Sequence, residues 1–205
     1  EATDLRIEIG TFFNTNGMSG GGGLTSPSTS LLGDLAVATA TQDYIFLETY
    51  QDYNVIRFRG LDPQKAYRFH TFGSRATDSE RTGYFEFRGE NVWQGTLQMS
   101  GAGLGANNYN GNNRNILVSD PVFPDRDGQI VLTVSKKFKN GMVHINCMKV
   151  EELEGLSRPN SDLQLVQTML IDFGETQNTT RGRQTTTKDE FGNRWNNLST
   201  ASSST

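Results

Sequence analysis

The segment 106–115 carries side chains that are suited to binding a polar ligand. Six asparagines surround Tyr109 in this segment, and their amides can donate hydrogen bonds to vicinal hydroxyl groups and accept them. An aromatic ring can also cover the apolar face of a sugar. Arg75, Tyr84 and Trp93 precede the segment and add a guanidinium group and two more rings. The predicted saccharide contacts are Arg75, Trp93, Tyr109, Asn110, Asn112 and Asn113.

A second interpretation of the same segment needs no ligand. Loops rich in asparagine and glycine commonly fold through hydrogen bonds from side chain to backbone, and they tolerate left-handed backbone conformations. Both interpretations of 106–115 stay open at the level of sequence.

Residues that could support catalysis are few. The G-x-S-x-G pattern at 17–21 contains Ser19, and its chemistry requires a strained turn between a strand and a helix. More glycines and a Thr-Ser-Pro run follow, so a glycine loop is favoured and an esterase that uses Ser19 is the lesser alternative. His70 and His144 lie in predicted strands, where a histidine is usually a cross-strand or surface residue. We therefore predict that the chain is not an enzyme.

Two carboxylates have a spacing that resembles part of a calcium-binding loop. Asp125 and Asp127 flank an arginine in a turn that ends at Gly128. Such loops need six or more oxygen ligands, and the later glutamate is missing. A hydrogen-bonded turn is the favoured interpretation, with Asp125 and Asp127 as weak candidates for calcium and no other cofactor predicted.

Composition excludes several classes of protein. Only 34% of the 205 residues are hydrophobic, and Gly, Asn, Ser and Thr make up more than a third, which disfavours a large helical enzyme core. The 19 basic residues against 23 acidic ones predict no nucleic-acid partner. No stretch approaches a membrane-spanning length of apolar residues, so no membrane insertion is expected. The single cysteine, Cys147, excludes an internal disulfide and is expected to be a small buried hydrophobe.

Short runs with strand character dominate the chain from Tyr44 onward. Apolar and polar residues alternate in 54–59, 67–72 and 83–88, which places one face of each strand inward and the other in water. The other predicted strands are 44–50, 129–135, 142–151 and 166–173.

Turn and loop signals complete the predicted architecture. Asn140-Gly141, a dipeptide that favours tight turns, predicts a hairpin between 129–135 and 142–151. Helix is limited to short pieces at 29–33 and 162–167. Many short strands with Gly and Asn turns predict an all-β fold, an antiparallel β-sandwich of the jelly-roll type.

Several short motifs of scaffold and turn residues are distributed along the chain. They are 22–27, 32–38, 60–63 with Tyr67, 72–75, 109–113 and 148–150. These motifs resemble those of β-sandwich domains of secreted bacterial proteins, which are often appended to esterases or other carbohydrate-active enzymes and are similar in outline to galactose-binding-like sandwiches. The resemblance covers most of the chain and implies a non-catalytic domain, extracellular or on the cell surface, that binds a polysaccharide or another glycan.

The order of the motifs differs from that of the domains the chain resembles. There, a strand similar to 170–174, followed by a Trp-Asn-Asn similar to 195–197, comes first, whereas here it comes last. The predicted single domain, 1–205, has a main body at 1–152, a linker at 153–162, a displaced opening strand region at 163–199 and a polar end at 200–205.

A sheet that lacks an edge strand exposes unpaired backbone groups. Three arrangements stay open: a circular permutation closed within one chain, a slice from a tandem array, or donation of segment 163–174 to a neighbour. The first predicted function is therefore a carbohydrate-binding-like module. The alternative is a structural or adhesive surface subunit that self-associates through 163–174 into a filament.

Overall fold

The computed structural model describes residues 5–10, 13–16, 21–154, 164–173, 185 and 187–198. Its strands are β1 (Arg6–Ile9), β2 (Asn14–Asn16), β3 (Tyr44–Leu47), β4 (Tyr53–Arg59), β5 (Ala66–Phe72), β6 (Arg81–Arg88), β7 (Val92–Ser100), β8 (Leu117–Val118), β9 (Ile130–Lys136), β10 (Val143–Ile145), β11 (Cys147–Glu154), β12 (Gln164–Phe173) and β13 (Trp195–Leu198). Its helices are single turns, α1 (Thr29–Leu32) and α2 (Ala38–Thr41), with 3-10 turns at Gly33–Leu35 and Ala106–Asn108.

The strands form three sheets. The first five-stranded sheet has the order β1-β4-β9-β6-β7, the second has the order β13-β12-β11-β5-β8, and β10-β3-β2 form a smaller one. Every pairing is antiparallel except that of β12 with β13, which is parallel. The small sheet contacts both large ones, because β10 packs on β6 and β9 while β3 packs on β12.

The two five-stranded sheets share one apolar core, which makes the fold a β-sandwich. At its centre, Phe69 of β5 is fully buried and lies against Phe58 of β4 and Phe87 of β6. The ring centroids of Phe58 and Phe87 lie 5.0 and 4.2 Å from that of Phe69. Because side chains alternate along a strand, these rings come from the inward positions of both sheets and tie the sheets together.

A second, smaller core covers the outer face of the second sheet. Residues of the segment that contains α1 and α2, such as Leu35, pack there on Phe72, Cys147, Leu170 and Trp195. Cys147 is free and fully buried, as expected for a small hydrophobe. The fold therefore has an apolar layer on both sides of β5, β11 and β12.

One buried residue, Asn146, separates β10 from β11 at the point where the chain passes from the small sheet to the second large sheet. Its Oδ1 accepts a hydrogen bond from the Ser74 N–H at 2.7 Å. Its Nδ2 donates to the carbonyls of Thr41 at 2.8 Å and Asp43 at 2.9 Å. Its own carbonyl accepts from the Phe173 N–H at 2.8 Å. Asn146 thus joins three segments that are distant in sequence.

Most of the predicted strands are confirmed, but the predicted hairpin is wrong. β9 pairs with β4 and β6, whereas β10 pairs with β3, so the turn at Asn140-Gly141 connects different sheets. The predicted strand 142–151 is divided at Asn146, because β10 belongs to the small sheet and β11 to the second large sheet. The predicted strand 44–50 ends at Leu47.

The predicted helical pieces and the predicted linker have mixed outcomes. α1 confirms the predicted helical piece at 29–33, whereas the piece at 162–167 is a strand from Gln164 onward. β11 continues through Glu154, two residues into the predicted linker. β12 pairs with β11 of the same chain. Among the helices in the part of the chain that the structure describes, none is long and apolar enough to cross a membrane.

Replacing Phe69 by alanine is expected to lower the free energy of unfolding by about 3–5 kcal/mol, because a buried ring between two others leaves a cavity. Urea unfolding measures the change. Phe138→Ala is the matched control, since this ring is 39% exposed and should cost far less. Equal losses in the two variants would contradict the position of Phe69 between the sheets.

The buried carboxyl of Asp172 on β12 generates a prediction about pH. Burial, and secondly the nearby Asp43, hold the pKa of Asp172 well above its ordinary value. The folded state therefore retains a proton that the unfolded chain loses at a pH of about 3.9, so stability falls as pH rises above that value. Asp172→Asn removes this loss, and its stability relative to the wild type should grow between pH of about 4.5 and about 7.5.

Urea unfolding of both proteins at the two pH values measures this difference. A stability gap between Asp172→Asn and the wild type that stays constant with pH would contradict the raised pKa.

Candidate functional site

The outer face of the first sheet carries a row of polar and aromatic side chains. Tyr53 of β4 is in register with Ser135 of β9, which is in register with Tyr84 of β6, and Tyr84 pairs with Thr96 of β7. The two tyrosines are separated by one strand and so lie about 10 Å apart at their Cα atoms. Tyr53 is 63% exposed and Tyr84 45%. We call this row, together with the adjacent row of Val55, Thr133, Glu86 and Gln94, the sheet face.

The strand pattern places these side chains outward. In β6, Phe85 and Phe87 are buried in the core, whereas Tyr84 is exposed and Glu86 is half-buried between them in sequence. Because the period of a strand is two, the same alternation that builds the core also builds the sheet face. A rigid sheet therefore presents the two tyrosines.

The next row of the sheet face is polar and ordered. Val55, Thr133, Glu86 and Gln94 are in register across β4, β9, β6 and β7. The Glu86 carboxylate accepts hydrogen bonds from Gln94 Nε2 at 2.6 Å and from Arg88 Nε at 3.0 Å. The bond from Gln94, and then that from Arg88, hold the pKa of Glu86 below its ordinary value, against the effect of burial. Glu86 is thus a fixed, ionised acceptor.

Two depressions follow this face. The first, of about 430 Å³, is lined by Tyr84, Glu86, Gln94 and Thr96 among others. The second, of about 840 Å³, continues past Tyr53 to β1. Its lining includes Glu8, Tyr50, Asp52, Tyr53 and Arg57. Together they offer rings for apolar contact beside groups that donate and accept hydrogen bonds.

The predicted saccharide contacts divide between two places. The backbone N–H groups of Arg75 and Asn112 both donate to the Met99 carbonyl, at 3.3 and 2.9 Å, so the 106–115 loop lies beside Arg75. Trp93 occupies the opposite end of β7, about 20 Å along the strand from Ser100. Its ring lies over Gly95 and packs against the main core, 6.1 Å from Phe87. Trp93 is thus at the edge of the core and away from the loop.

The asparagine amides hold the loop together. Asn112 is fully buried, where it donates to the carbonyls of Gly73 at 3.1 Å and Asn115 at 2.7 Å. Its Oδ1 accepts from the N–H groups of Arg114 and Asn115 at 3.2 and 2.8 Å. It therefore supports the loop from within, with its side chain fully buried.

The other predicted loop contacts are partly accessible. Asn113 clamps Ala106, accepting from its N–H at 2.8 Å and donating to its carbonyl at 3.3 Å. Asn110 accepts from the Gly103 N–H at 2.8 Å and donates to Asp78. Tyr109 is half-buried, and burial raises the pKa of its hydroxyl.

The weak calcium candidates lie in a hydrogen-bonded turn. Asp125 Oδ1 accepts from the N–H groups of Asp127 at 3.0 Å and Gln129 at 2.8 Å, and Gly128 adopts a φ of +70°. Within the described ranges, no group of three or more His, Cys, Asp or Glu side chains is placed to hold a metal ion. Ser19 and the rest of 17–20 lie outside the described residues.

Both histidines belong to side-chain networks within the sheets. His70 lies 3.0 Å from Glu151 on the neighbouring strand, and Lys149 lies 3.1 Å from the same carboxylate. Burial is the main cause that lowers the pKa of His70, so the ring is neutral at pH 7. This is the cross-strand role expected from the sequence. His144 is described below with its arginine partner.

Sequence reasoning missed Tyr53, Glu86 and Gln94 as members of one surface. The alternation in 54–59 and 83–88 already placed Glu86 on an outer face. What the sequence did not contain was the order of the sheet, which brings β4, β9, β6 and β7 together.

No protein-family model and no curated protein matches the sequence. Among solved structures, the chain is similar to CBM35 from Cellvibrio japonicus Abf62, at 12% identity, over 67% of this chain and 92% of that chain, with a TM-score of 0.35. It is also similar to TmCBM61 in complex with β-1,4-galactotriose, at 8% identity, over 72% of this chain and 88% of that chain, with a TM-score of 0.34. What this chain binds is therefore argued from its own residues.

Asn112→Ala is expected to lower the free energy of unfolding by about 2 kcal/mol or more, because it leaves buried carbonyl and N–H groups without partners. The matched control is Asn115→Ala, whose exposed side chain should contribute less than about 0.5 kcal/mol. Urea unfolding compares the two. Equal stability of both variants would show that the amide of Asn112 does not hold the loop.

Proposed function

We propose that the chain is a non-catalytic carbohydrate-binding-like module, extracellular or on the cell surface, whose glycan lies along the sheet face. The observation that carries the proposal is the pair of exposed tyrosines, Tyr53 and Tyr84, across Ser135. Exposed rings on a regular sheet contribute nothing to the core, but they provide flat apolar surfaces for the C–H faces of sugar rings.

The polar groups beside the rings fit sugar hydroxyls. Ionised Glu86 accepts hydrogen bonds only, whereas Gln94, Thr96 and Ser135 can donate and accept. All four lie on paired strands of one sheet, so little side-chain or backbone ordering is required when a ligand binds. A linear glycan could follow the two depressions from Thr96 past Tyr53 toward Glu8.

The remaining predictions belong to the same proposal. The chain would be a circular permutation of the sandwich it resembles, with 163–199 supplying the opening strands. The pairing of β12 with β11 in the same chain supports a closed permutation over the alternative of a filament formed by strand donation. Asp125 and Asp127 stay weak candidates for calcium, and saccharide contacts at Arg75, Trp93, Tyr109, Asn110, Asn112 and Asn113 stay predictions.

Tyr84→Ala and Tyr53→Ala should each weaken binding of a neutral oligosaccharide about tenfold or more, because each removes the apolar area of one ring. A glycan array with calcium present identifies the oligosaccharide, and calorimetric titration measures its affinity. Tyr84→Phe should retain most of the affinity, since it keeps the ring.

Phe191→Ala is the matched control, because this exposed ring precedes β13, which belongs to the other large sheet. Asn113→Ala reports on the loop in the same titration. No saccharide bound on the array would overturn the proposed function. Loss of affinity in Asn113→Ala, with none in the tyrosine variants, would move the site to the loop.

A further inference from the structure

Two arginines meet on an aromatic surface at the small sheet. Arg75 follows β5 and Arg81 begins β6. The Arg75 guanidinium lies over the ring of Tyr44, 5.9 Å from its centroid, and donates to the Tyr44 hydroxyl. Arg81 Nη1 lies 2.9 Å from His144 Nε2. The rings of Tyr44 and His144 are 4.7 Å apart, and Arg81 is near enough to Arg75 for the charge of Arg75 to lower the pKa of Arg81. We call them the arginine pair.

The rings of Tyr44, Phe46 and His144 determine how the arginine pair is oriented. His144 is fully buried and contacts two rings, Tyr44, which is edge-on to it at 4.7 Å, and Phe46, which stacks on it at 5.9 Å. Burial holds the pKa of His144 well below its ordinary value, so the ring is neutral. An arginine can only donate, so Nε2 must accept from Arg81. A buried, rigid acceptor therefore orients the Arg81 fork.

The positive charge of the arginine pair is not balanced by the surrounding protein. Among the described residues, no carboxylate lies within 4.0 Å of either guanidinium, although three other arginines, Arg59, Arg68 and Arg88, have such a contact. Burial, and then the charge of Arg75, lower the pKa of Arg81, while Tyr44 and Glu48 act in the opposite direction. Half-buried like charges without a counter-charge are unfavourable unless something neutralises them.

We infer that the arginine pair is a second binding site, which recognises an oxyanion, a carboxylate or sulfate group, carried by a glycan. A guanidinium has five N–H donors in a planar fork that matches such groups. Among the described residues, one side-chain hydrogen bond is made by each arginine, to Tyr44 or to His144, and a guanidinium has further donors for the ligand. The glycan part of this inference rests on the proposed function, but the anion site is separate from the sheet face.

The test is calorimetric titration of the full chain with two pairs of probes. An oligogalacturonate is compared with its methyl ester, and a carrageenan oligosaccharide, which carries sulfate only, with its desulfated form. We expect at least one charged probe to bind about tenfold or more tightly than its neutral counterpart, because charge-assisted hydrogen bonds are lost in the latter. The preferred pair identifies carboxylate or sulfate, and added salt should weaken the preference.

Variants assign the preference to the arginine pair. Arg75→Gln and Arg81→Gln should each reduce affinity for the charged probe about tenfold, and Arg81→Gln should leave affinity for the neutral probe unchanged. Arg126→Gln, an exposed residue of the turn at 125–128, removes the same charge elsewhere and should change nothing. Arg81→Lys keeps the charge but loses the fork, so it should recover only part of the affinity. Circular dichroism confirms that each variant is folded.

Three results would overturn the inference. If charged and neutral probes bind equally and Tyr84→Ala abolishes both, the anion site is wrong and the proposed function stands. If Arg126→Gln is as damaging as Arg81→Gln, the preference reflects overall charge. If no probe binds, the anion site is wrong, whereas the proposed function depends on the result of the glycan array. A charge preference that survives Tyr84→Ala would support the arginine pair independently of the sheet face.

Discussion

The structure depends on the buried amide of Asn146. Two large sheets can pack face to face only if the chain crosses between layers, and each crossing buries backbone groups that have lost their strand partners. Asn146 meets this need at the crossing from β10 to β11, because its side chain binds the carbonyls of Thr41 and Asp43 and the N–H of Ser74. An aliphatic side chain of similar size would fill the space but could not form the hydrogen bonds to the carbonyls of Thr41 and Asp43 or from the N–H of Ser74.

The position of Asn146 also connects the core to the candidate sites. Asp43 immediately precedes Tyr44, and Ser74 immediately precedes Arg75. By fixing both neighbours, Asn146 sets the distance between the Tyr44 ring and the Arg75 guanidinium. The sheet face has a different origin, since its side chains are the outward half of strands whose inward half builds the core. The sheet face thus follows from strand alternation. The position of the arginine pair follows from Asn146, where the chain passes from β10 to β11.

The same distinction explains what the sequence could predict. Alternation identified β4, β5 and β6 because each has one face in the main core, and it placed Tyr84 and Glu86 outward. It failed at Asn140-Gly141, where a local turn signal cannot tell whether the next strand pairs with the previous one or enters another sheet. It also missed β7, in which Gly95 interrupts the pattern to make room for the Trp93 ring.

The candidate sites were harder to predict for a related reason. The asparagines at 107–115 have a composition that suits both a ligand and a self-supporting loop, and only the contacts of Asn112 decide its role. Arg81 gave no signal at all, because its partner His144 is 63 residues away in sequence. Sites formed by strand order or by distant partners require the topology, which no local pattern contains.

The single thiol of the chain can report local opening of the fold. Cys147 pairs in register with Phe72 and Asp172 near the middle of the second sheet and lies beneath the α1 and α2 segment. Cys147 is fully buried, and burial raises the pKa of its thiol well above the ordinary value, so an alkylating reagent reacts when the structure around Cys147 opens. Because the chain has no other cysteine, the rate of thiol labelling depends on how often this opening occurs. No cysteine has to be introduced as a probe.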